Sequence, residues 1–185
     1  MANELWKPEP HDAGTHRKRL NQIRQLARGF YPCTVADIGC GTGEIAWRLT
    51  RDGANVTAID CSDSRVMDRV RQLFHKGDAI ATDLQKFNLI VCAGLLYHLD
   101  LESQLKLVKN IGGKPVILDT HFSRHPDSTI GDFSGQFRQP TWSTKVKQAF
   151  VHTIPSLRIL FSKHHLIETF ERLTPDRQVM LMVPR

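Results

Sequence analysis

Residues 35–43 read Val35-Ala36-Asp37-Ile38-Gly39-Cys40-Gly41-Thr42-Gly43, an apolar run that breaks into three glycines at alternate positions. This pattern is typical of a strand that runs into a tight turn. Glycine can adopt φ > 0 and lets the main chain approach a ligand closely. A helix is predicted from Glu44, and its first N–H groups would face the turn. The stretch therefore predicts a nucleotide-like cofactor at a strand-to-helix junction.

Length and composition predict a single domain over residues 1–185, of which 41% are hydrophobic. The longest apolar run, 89–96, is too short to span a bilayer, and residues 1–10 do not resemble a signal peptide, so we expect a cytoplasmic protein without a membrane segment. The four cysteines form no CxxC pair, which favours reduced thiols and no metal site. The net charge of +6 allows an anionic partner without establishing one.

Strands and helices alternate along the chain after an N-terminal lead-in and helix in residues 1–33. This order predicts an α/β fold with a Rossmann-like, mostly parallel seven-stranded sheet, helices on both faces and an antiparallel C-terminal hairpin. The predicted strands are 34–38, 55–60, 78–83, 88–93, 115–119, 167–173 and 178–183. The predicted helices after the first are 44–51, a segment ending at Gly77, 101–110 and 155–165. The segment before Gly77 is assigned by the apolar stripe Val66, Val70, Leu73 and Phe74.

Residues 120–154 have a different character, because glycines and prolines are scattered among aromatic residues without clear periodicity. A stretch of this length inside a compact domain is usually functional. We therefore expect a lid or acceptor-binding insertion there.

Polar residues and glycines follow four predicted strands at the points where they end: residues 39–43, Asp60, Asp83 and residues 94–98. Ligands of such sheets bind at the carboxyl ends of the strands. An acid such as Asp60, at the end of the second strand, accepts hydrogen bonds from ribose hydroxyls in related cofactor sites. The four strand ends therefore predict one shared crevice.

The spacing GxGxG, with Asp37 two residues ahead, resembles motif I of the class I S-adenosylmethionine-dependent methyltransferases. A dinucleotide-binding turn has GxGxxG instead, although a nicotinamide dehydrogenase stays a competitor. The resemblance extends over residues 34–119 as strand and motif order. It implies S-adenosylmethionine as methyl donor and S-adenosylhomocysteine as product.

The resemblance also implies roles for individual residues. Asp37 would orient the glycine turn and the amino group of the methionine moiety, Asp60 would hold the ribose, and Asp83, with Asp78 as competitor, would bond the adenine amino group. The backbone of Gly39, Cys40 and Gly41 would give the methionine moiety room, and Cys61 would lie against the adenine. Ala93 and Gly94 would line the methionine arm, and Arg19 would donate to its carboxylate.

Two histidines are candidates for a catalytic base. His98 follows the fourth strand and His121 follows the fifth, so both are placed at the open end of the crevice. A histidine of near-neutral pKa suits removal of a proton from an acceptor hydroxyl. Alternatively, His98 caps the next helix and His121 packs under the insertion.

Residues 94–99 and 118–121 look like small-molecule and sugar methyltransferases of bacterial biosynthetic clusters. The resemblance therefore implies methyl transfer to an oxygen, or a nitrogen, of a small metabolite or sugar intermediate. The same segments also look like the catalytic domain of the tRNA wobble-uridine carboxymethyltransferase, so an RNA-modifying enzyme stays an alternative. A non-catalytic cofactor-binding subunit on the same scaffold is the third possibility.

Overall fold

The fold is seen in a computed structural model that describes residues 13–139 and 147–185. The helices are α1 (Ala13–Arg28), α2 (Glu44–Arg51), α3 (Leu101–Ile111) and α4 (Ile154–Phe161). The strands are β1 (Thr34–Ile38), β2 (Asn55–Asp60), β3 (Phe74–Lys76), β4 (Leu89–Ala93), β5 (Val116–His121), β6 (Ser128–Ile130), β7 (Phe133–Arg138), β8 (Ala149–His152), β9 (His165–Thr174) and β10 (Arg177–Pro184). Helix α4 ends before the predicted residue 165 because β9 begins there.

The main sheet has seven strands in the order β3-β2-β1-β4-β5-β10-β9. Strand β10 runs antiparallel to both of its neighbours, and the other pairs are parallel. This arrangement confirms the predicted sheet and C-terminal hairpin. Ile38 pairs with Ile59 of β2 and with Cys92 of β4, so the carboxyl ends of these three strands lie level with one another.

Helices cover both faces of this sheet because successive strand residues point to opposite sides. Val35 packs in the layer that holds α1 and α2, whereas Ala36 packs in the layer that holds α3 and α4. All five residues of β4 are buried, as expected for a strand covered on both faces.

The predicted helix before Gly77 is wrong. The segment forms a 3-10 turn at Asp68–Val70 and then β3. Its main chain binds the glycine turn, because the Met67 N–H donates to the Thr42 carbonyl at 3.1 Å. Buried Val66 and Val70 also pack beside α2. These tertiary contacts outweigh the helical spacing of the apolar residues.

The predicted strand at 78–83 is also wrong, because the third strand of the sheet is β3 and ends at Lys76. Asp78 instead forms a turn: its Oδ1 accepts from the Ile80 N–H at 3.0 Å and its carbonyl accepts from the Thr82 N–H at 2.8 Å. An aspartate that bonds the backbone two residues ahead favours a turn over a strand.

Residues 120–154 contain a second, three-stranded antiparallel sheet in the order β6-β7-β8, which the sequence analysis did not predict. Strand β8 is joined to the segment after β4, because the Phe150 N–H donates to the Leu99 carbonyl at 2.9 Å. Residues 140–146 of the predicted insertion lie outside the described part of the chain. Among the described residues, no helix has the length and apolar character needed to cross a membrane.

Candidate active site

A crevice of about 850 Å³ opens at the carboxyl ends of β1, β2 and β4. Helix α1 and the first residue of β10 complete its wall. The crevice brings together nine of the residues predicted for the site, namely Arg19, Gly39, Cys40, Gly41, Asp60, Cys61, Ala93, Gly94 and His98. Three other predicted residues, Asp37, Asp83 and His121, are not part of its lining.

Gly39 shows why the turn after β1 needs glycine. Its φ is 65°, and a Cβ added there would lie 2.8 Å from the Leu95 Cβ. The chain leaving β4 therefore packs directly against the bare backbone of the turn. A side chain at residue 39 would push these two walls of the crevice apart.

Asp60 closes the turn from the end of β2. Its Oδ2 accepts from the Gly41 N–H at 2.9 Å, and its Oδ1 accepts from the Ser62 N–H at 3.0 Å. These bonds fix the carboxylate at the rim of the crevice. Each oxygen has a second lone pair, so the carboxylate can also accept hydrogen bonds from a ligand.

Asp37 supports the turn from below the crevice. It is 1% exposed, and its Oδ2 accepts from the Ala46 N–H in the first turn of α2 at 3.1 Å. Burial raises the pKa of Asp37 to about 7, against the opposing effect of that N–H donor. The carboxyl group therefore fixes α2 to the end of β1.

Asp78 occupies the position that was predicted for Asp83. Strand β3 ends at Lys76, so the residues at its carboxyl end are Gly77 and Asp78, and both line the crevice. Asp83 lies farther along the chain and accepts from the Gln85 N–H at 2.9 Å. The predicted strand ended at Asp83, whereas the observed strand ends two residues before Asp78, the competitor named for the same position.

Two arginines share one buried carboxylate beside Gly94. Asp119, fully buried on β5, accepts from the Arg19 Nε–H at 2.5 Å. It also accepts from Arg177 Nε–H at 2.9 Å and Nη2–H at 2.8 Å. Burial raises the pKa of Asp119, but the two arginines outweigh burial and hold it below its usual value.

His98 and His121 occupy different environments. His98 lines the crevice, and burial, reinforced by the charges of His121 and Arg177, lowers its pKa to about 4. His121 lies behind it, with Nδ1 3.2 Å from the Asp176 Oδ2 and Nε2 3.3 Å from the Arg177 Nη1. Because the arginine can only donate, the network assigns the His121 proton to Nδ1. Both ring nitrogens of His121 are thus engaged by neighbouring side chains.

Arg177 and Asp119 belong to this site but were not predicted for it, and Tyr97 was predicted only as part of the segment 94–98. Arg177 pairs with His121 in the antiparallel ladder of β10 and β5, so the start of β10 lies beside the carboxyl end of β5. A charged residue at the start of the final antiparallel strand is the signal that could have found it. None of the described residues of 120–154 lines the crevice, so the expected acceptor-binding role of that segment has no contact there.

Comparison with known proteins bears on the central part of the chain. Residues 35–112 match a family model described as a methyltransferase domain. A ubiquinone biosynthesis O-methyltransferase from Nitrosomonas europaea is 28% identical over 149 residues, which are 70% of this chain and 62% of the relative. The chain thus spans less than two thirds of that relative's length.

Solved structures share the whole architecture at low sequence identity. The N-terminal domain of EvdMO1, determined with S-adenosylhomocysteine and D-fucose, has a TM-score of 0.70 and 18% identity, covering 92% of this chain and 83% of that one. A 1,6-didemethyltoxoflavin-N1-methyltransferase from Burkholderia thailandensis has a TM-score of 0.67 and 16% identity, covering 98% and 92%. Residues 35–112 therefore resemble a methyltransferase domain, and the chain as a whole shares the fold of these S-adenosylhomocysteine-bound structures.

Proposed function

We propose that the protein transfers a methyl group from S-adenosylmethionine to an oxygen or nitrogen of a small-molecule acceptor. The observation that carries this proposal is the crevice itself. The glycine turn, Asp60 and Gly94 reach it from the ends of three adjacent strands. The name of the Nitrosomonas relative supports oxygen as the accepting atom, and that of the Burkholderia enzyme supports nitrogen.

The cofactor would lie across the strand ends. In this arrangement Asp60 accepts from the ribose hydroxyls, Asp78 accepts from the adenine amino group, and Cys61 lies against the adenine. The methionine arm would pass Ala93 and Gly94, and its carboxylate would accept from Arg19. We assign Asp37 a supporting role, because it holds the turn without reaching the crevice.

The reaction needs alignment more than acid or base chemistry. A lone pair of the acceptor forms a bond to the methyl carbon, the carbon–sulfur bond breaks, and its electron pair stays on sulfur. An acceptor hydroxyl also loses its proton, either to water or to His98. The lowered pKa of His98 keeps it neutral at pH 7 but makes it a weaker base than the near-neutral histidine expected from the sequence. We favour His98 over His121 for this role because His98 lines the crevice.

The first test is binding of S-adenosylhomocysteine by calorimetry. Wild type should bind, and Asp60→Asn should weaken binding by about ten- to a hundredfold, because a charge-assisted hydrogen bond contributes about 1.5–3 kcal/mol. Asp63→Asn is a matched control, since its carboxylate pairs with Lys76 at 3.2 Å outside the crevice. Absence of binding by the folded wild type would refute the proposal.

A second pair of variants tests the adenine position. Asp78→Asn should weaken S-adenosylhomocysteine binding about fivefold or more, whereas Asp83→Asn should leave it unchanged. The opposite result would return the adenine contact to Asp83. Transfer of a labelled methyl group to metabolite extracts or to tRNA would then separate a small-molecule enzyme from an RNA-modifying one, and absence of any transfer would indicate a non-catalytic subunit.

A further inference from the structure

The end of the crevice beyond Gly94 has polar groups from three separate parts of the chain. A Cβ added at Gly94 would lie 3.2 Å from the Arg19 Nη2, 3.6 Å from the Tyr97 hydroxyl and 3.9 Å from the Arg177 Nη2. All three side chains line the crevice. The small size of Gly94 therefore leaves a space that is surrounded by one phenol and two guanidinium groups.

Arg177 is held rigidly in this space. Its side chain is 15% exposed, two of its nitrogens donate to Asp119, and a third lies 3.3 Å from His121. A guanidinium fixed in this way loses little rotamer freedom when it binds a ligand. Since Arg19 is assigned to the cofactor, Arg177 is the guanidinium that we assign to the acceptor.

The wall next to Arg177 is aromatic. The ring of Tyr97 lies 4.3 Å from that of His98, in a tilted arrangement, and 4.7 Å from that of His121, in an edge-to-face arrangement. Burial fixes Tyr97 in its un-ionised form by raising its pKa, so its hydroxyl is neutral. A flat acceptor ring can therefore lie against this wall without meeting a negative charge.

The charges around the space favour an anion. Arg19 and Arg177 share one carboxylate, that of the fully buried Asp119. Asp100 also lines the crevice, and its Oδ1 accepts from the Ser103 N–H in α3 at 2.7 Å. The carboxylate of Asp176 lies on the far side of His121, with its side chain 45% exposed. His98 is neutral near pH 7. Beside Gly94, two guanidinium groups thus stand against the one carboxylate that they share, and electrostatic complementarity favours a negatively charged group next to them.

We propose that the acceptor is a planar, aromatic molecule that carries a carboxylate, and that Arg177 determines this specificity by binding the carboxylate next to Tyr97. This inference rests on the proposed function, because it assigns the acceptor half of the same crevice. Arg177 acts here as a specificity-determining residue, whereas Asp119 positions it.

The test compares two probes that differ in charge but hardly in shape, 4-hydroxybenzoate and 4-hydroxybenzamide. Their dissociation constants are measured by calorimetry or ligand-observed NMR on the full chain saturated with S-adenosylhomocysteine. We expect the wild type to bind the benzoate at least fivefold more tightly than the benzamide. Arg177→Met should remove this preference, and Arg177→Lys should restore part of it because it restores the charge.

Two controls separate specificity from structure. Arg65→Met removes another arginine that lines the crevice beside the glycine turn, and it should keep the preference for the benzoate. The affinity of Arg177→Met for S-adenosylhomocysteine should stay within twofold of wild type. A merely structural role for Arg177 would lower both probe affinities equally and leave their ratio unchanged.

Three results would overturn the inference. They are equal binding of the two probes, absence of benzoate binding, and a preference that persists in Arg177→Met. A loss of S-adenosylhomocysteine affinity in Arg177→Met would assign the guanidinium to the cofactor instead. Each of these results is compatible with cofactor binding by the wild type, so failure of this inference is distinguishable from failure of the proposed function.

Discussion

Gly43 ends the glycine turn in a left-handed conformation, with φ at 78°. A Cβ added there would lie 2.5 Å from the Val70 Cγ1, so alanine meets both backbone strain and a collision. We expect Gly43→Ala to lower the free energy of unfolding by about 3 kcal/mol, measured by urea denaturation. Left-handed strain alone costs about 1–2 kcal/mol.

Gly53→Ala is the matched control for this prediction. Gly53 also has positive φ, 103°, but a Cβ there would meet nothing within 4 Å. The difference between the two alanine variants therefore measures the contact with Val70. The double change Gly43→Ala with Val70→Ala should lose less stability than the two single changes added together. Equal losses in the free energy of unfolding from Gly43→Ala and Gly53→Ala would contradict the close approach of Val70 to the turn.

At the residue scale, the motif predicted the contacts of the glycine turn better than those of the acceptor end. Asp60 lies at the crevice because motif spacing and strand position both fix it. Asp119 and Arg177 are 58 positions apart in the chain, and their ion pair arises only from the antiparallel pairing of β10 with β5. Nothing in the local sequence of either residue encodes that partner.

The second sheet is fixed to α3 and α4 by a buried polar network at β8. The amide nitrogen of Gln104 donates to the carbonyls of Leu99 and Phe150, at 2.9 and 2.7 Å. Its oxygen therefore accepts from His152 Nε2 at 2.6 Å, and the other ring nitrogen accepts from the Ser156 hydroxyl at 2.6 Å. This assignment requires a neutral His152, whose pKa is lowered to about 4 by burial.

The network makes stability depend on pH in a defined direction. An unfolded histidine titrates near pH 6.5, so the stabilisation is complete above that pH and is lost as the pH falls towards 4. Between pH 7.5 and 4.5, the stability advantage of wild type over His152→Gln should shrink by about 2–3 kcal/mol. Urea unfolding at both pH values measures this change. Asp37 also titrates in this pH range, but its contribution cancels because both proteins contain Asp37.

His125→Gln is the matched control for the pH effect, since His125 is exposed in the same part of the chain. Its stability should follow that of wild type at both pH values. If the difference in free energy of unfolding between wild type and His152→Gln stayed constant from pH 7.5 to 4.5, His152 would not stay neutral in the folded protein.

At the element scale, the sequence predicted strands best where they are buried on both faces. The apolar run of β4 is confirmed, because only a covered strand in a parallel sheet tolerates it. Strand β3 has three residues, two of them exposed, and therefore has no apolar pattern to detect. Strands β6 and β8 have only three and four residues, and the pairing of both with β7 depends on contacts between the strands rather than on local propensity.

At the scale of the whole molecule, the order of elements was sufficient to predict the main sheet. Alternating strands and helices allow few topologies once crossovers are right-handed and connections are short. The errors in the segment 61–83 did not change that result, since the third strand merely lies earlier in the chain than expected. They did change the site, because a shift of a few residues moves a different aspartate to the strand end.

The proposed cofactor would connect parts of the chain that are distant in sequence, since Arg19 lies on α1, Asp60 on β2 and Asp78 after β3. S-adenosylhomocysteine at about 100 times its dissociation constant should add about 2.7 kcal/mol of stability. For this chain length, that corresponds to a Tm increase of about 5–10 °C in a thermal melt. 5′-Methylthioadenosine lacks the carboxylate assigned to Arg19, so it should bind more weakly and give a smaller increase at the same concentration. An equal increase with both ligands would contradict the assignment of Arg19 to the carboxylate, and no increase with either would contradict cofactor binding in this crevice.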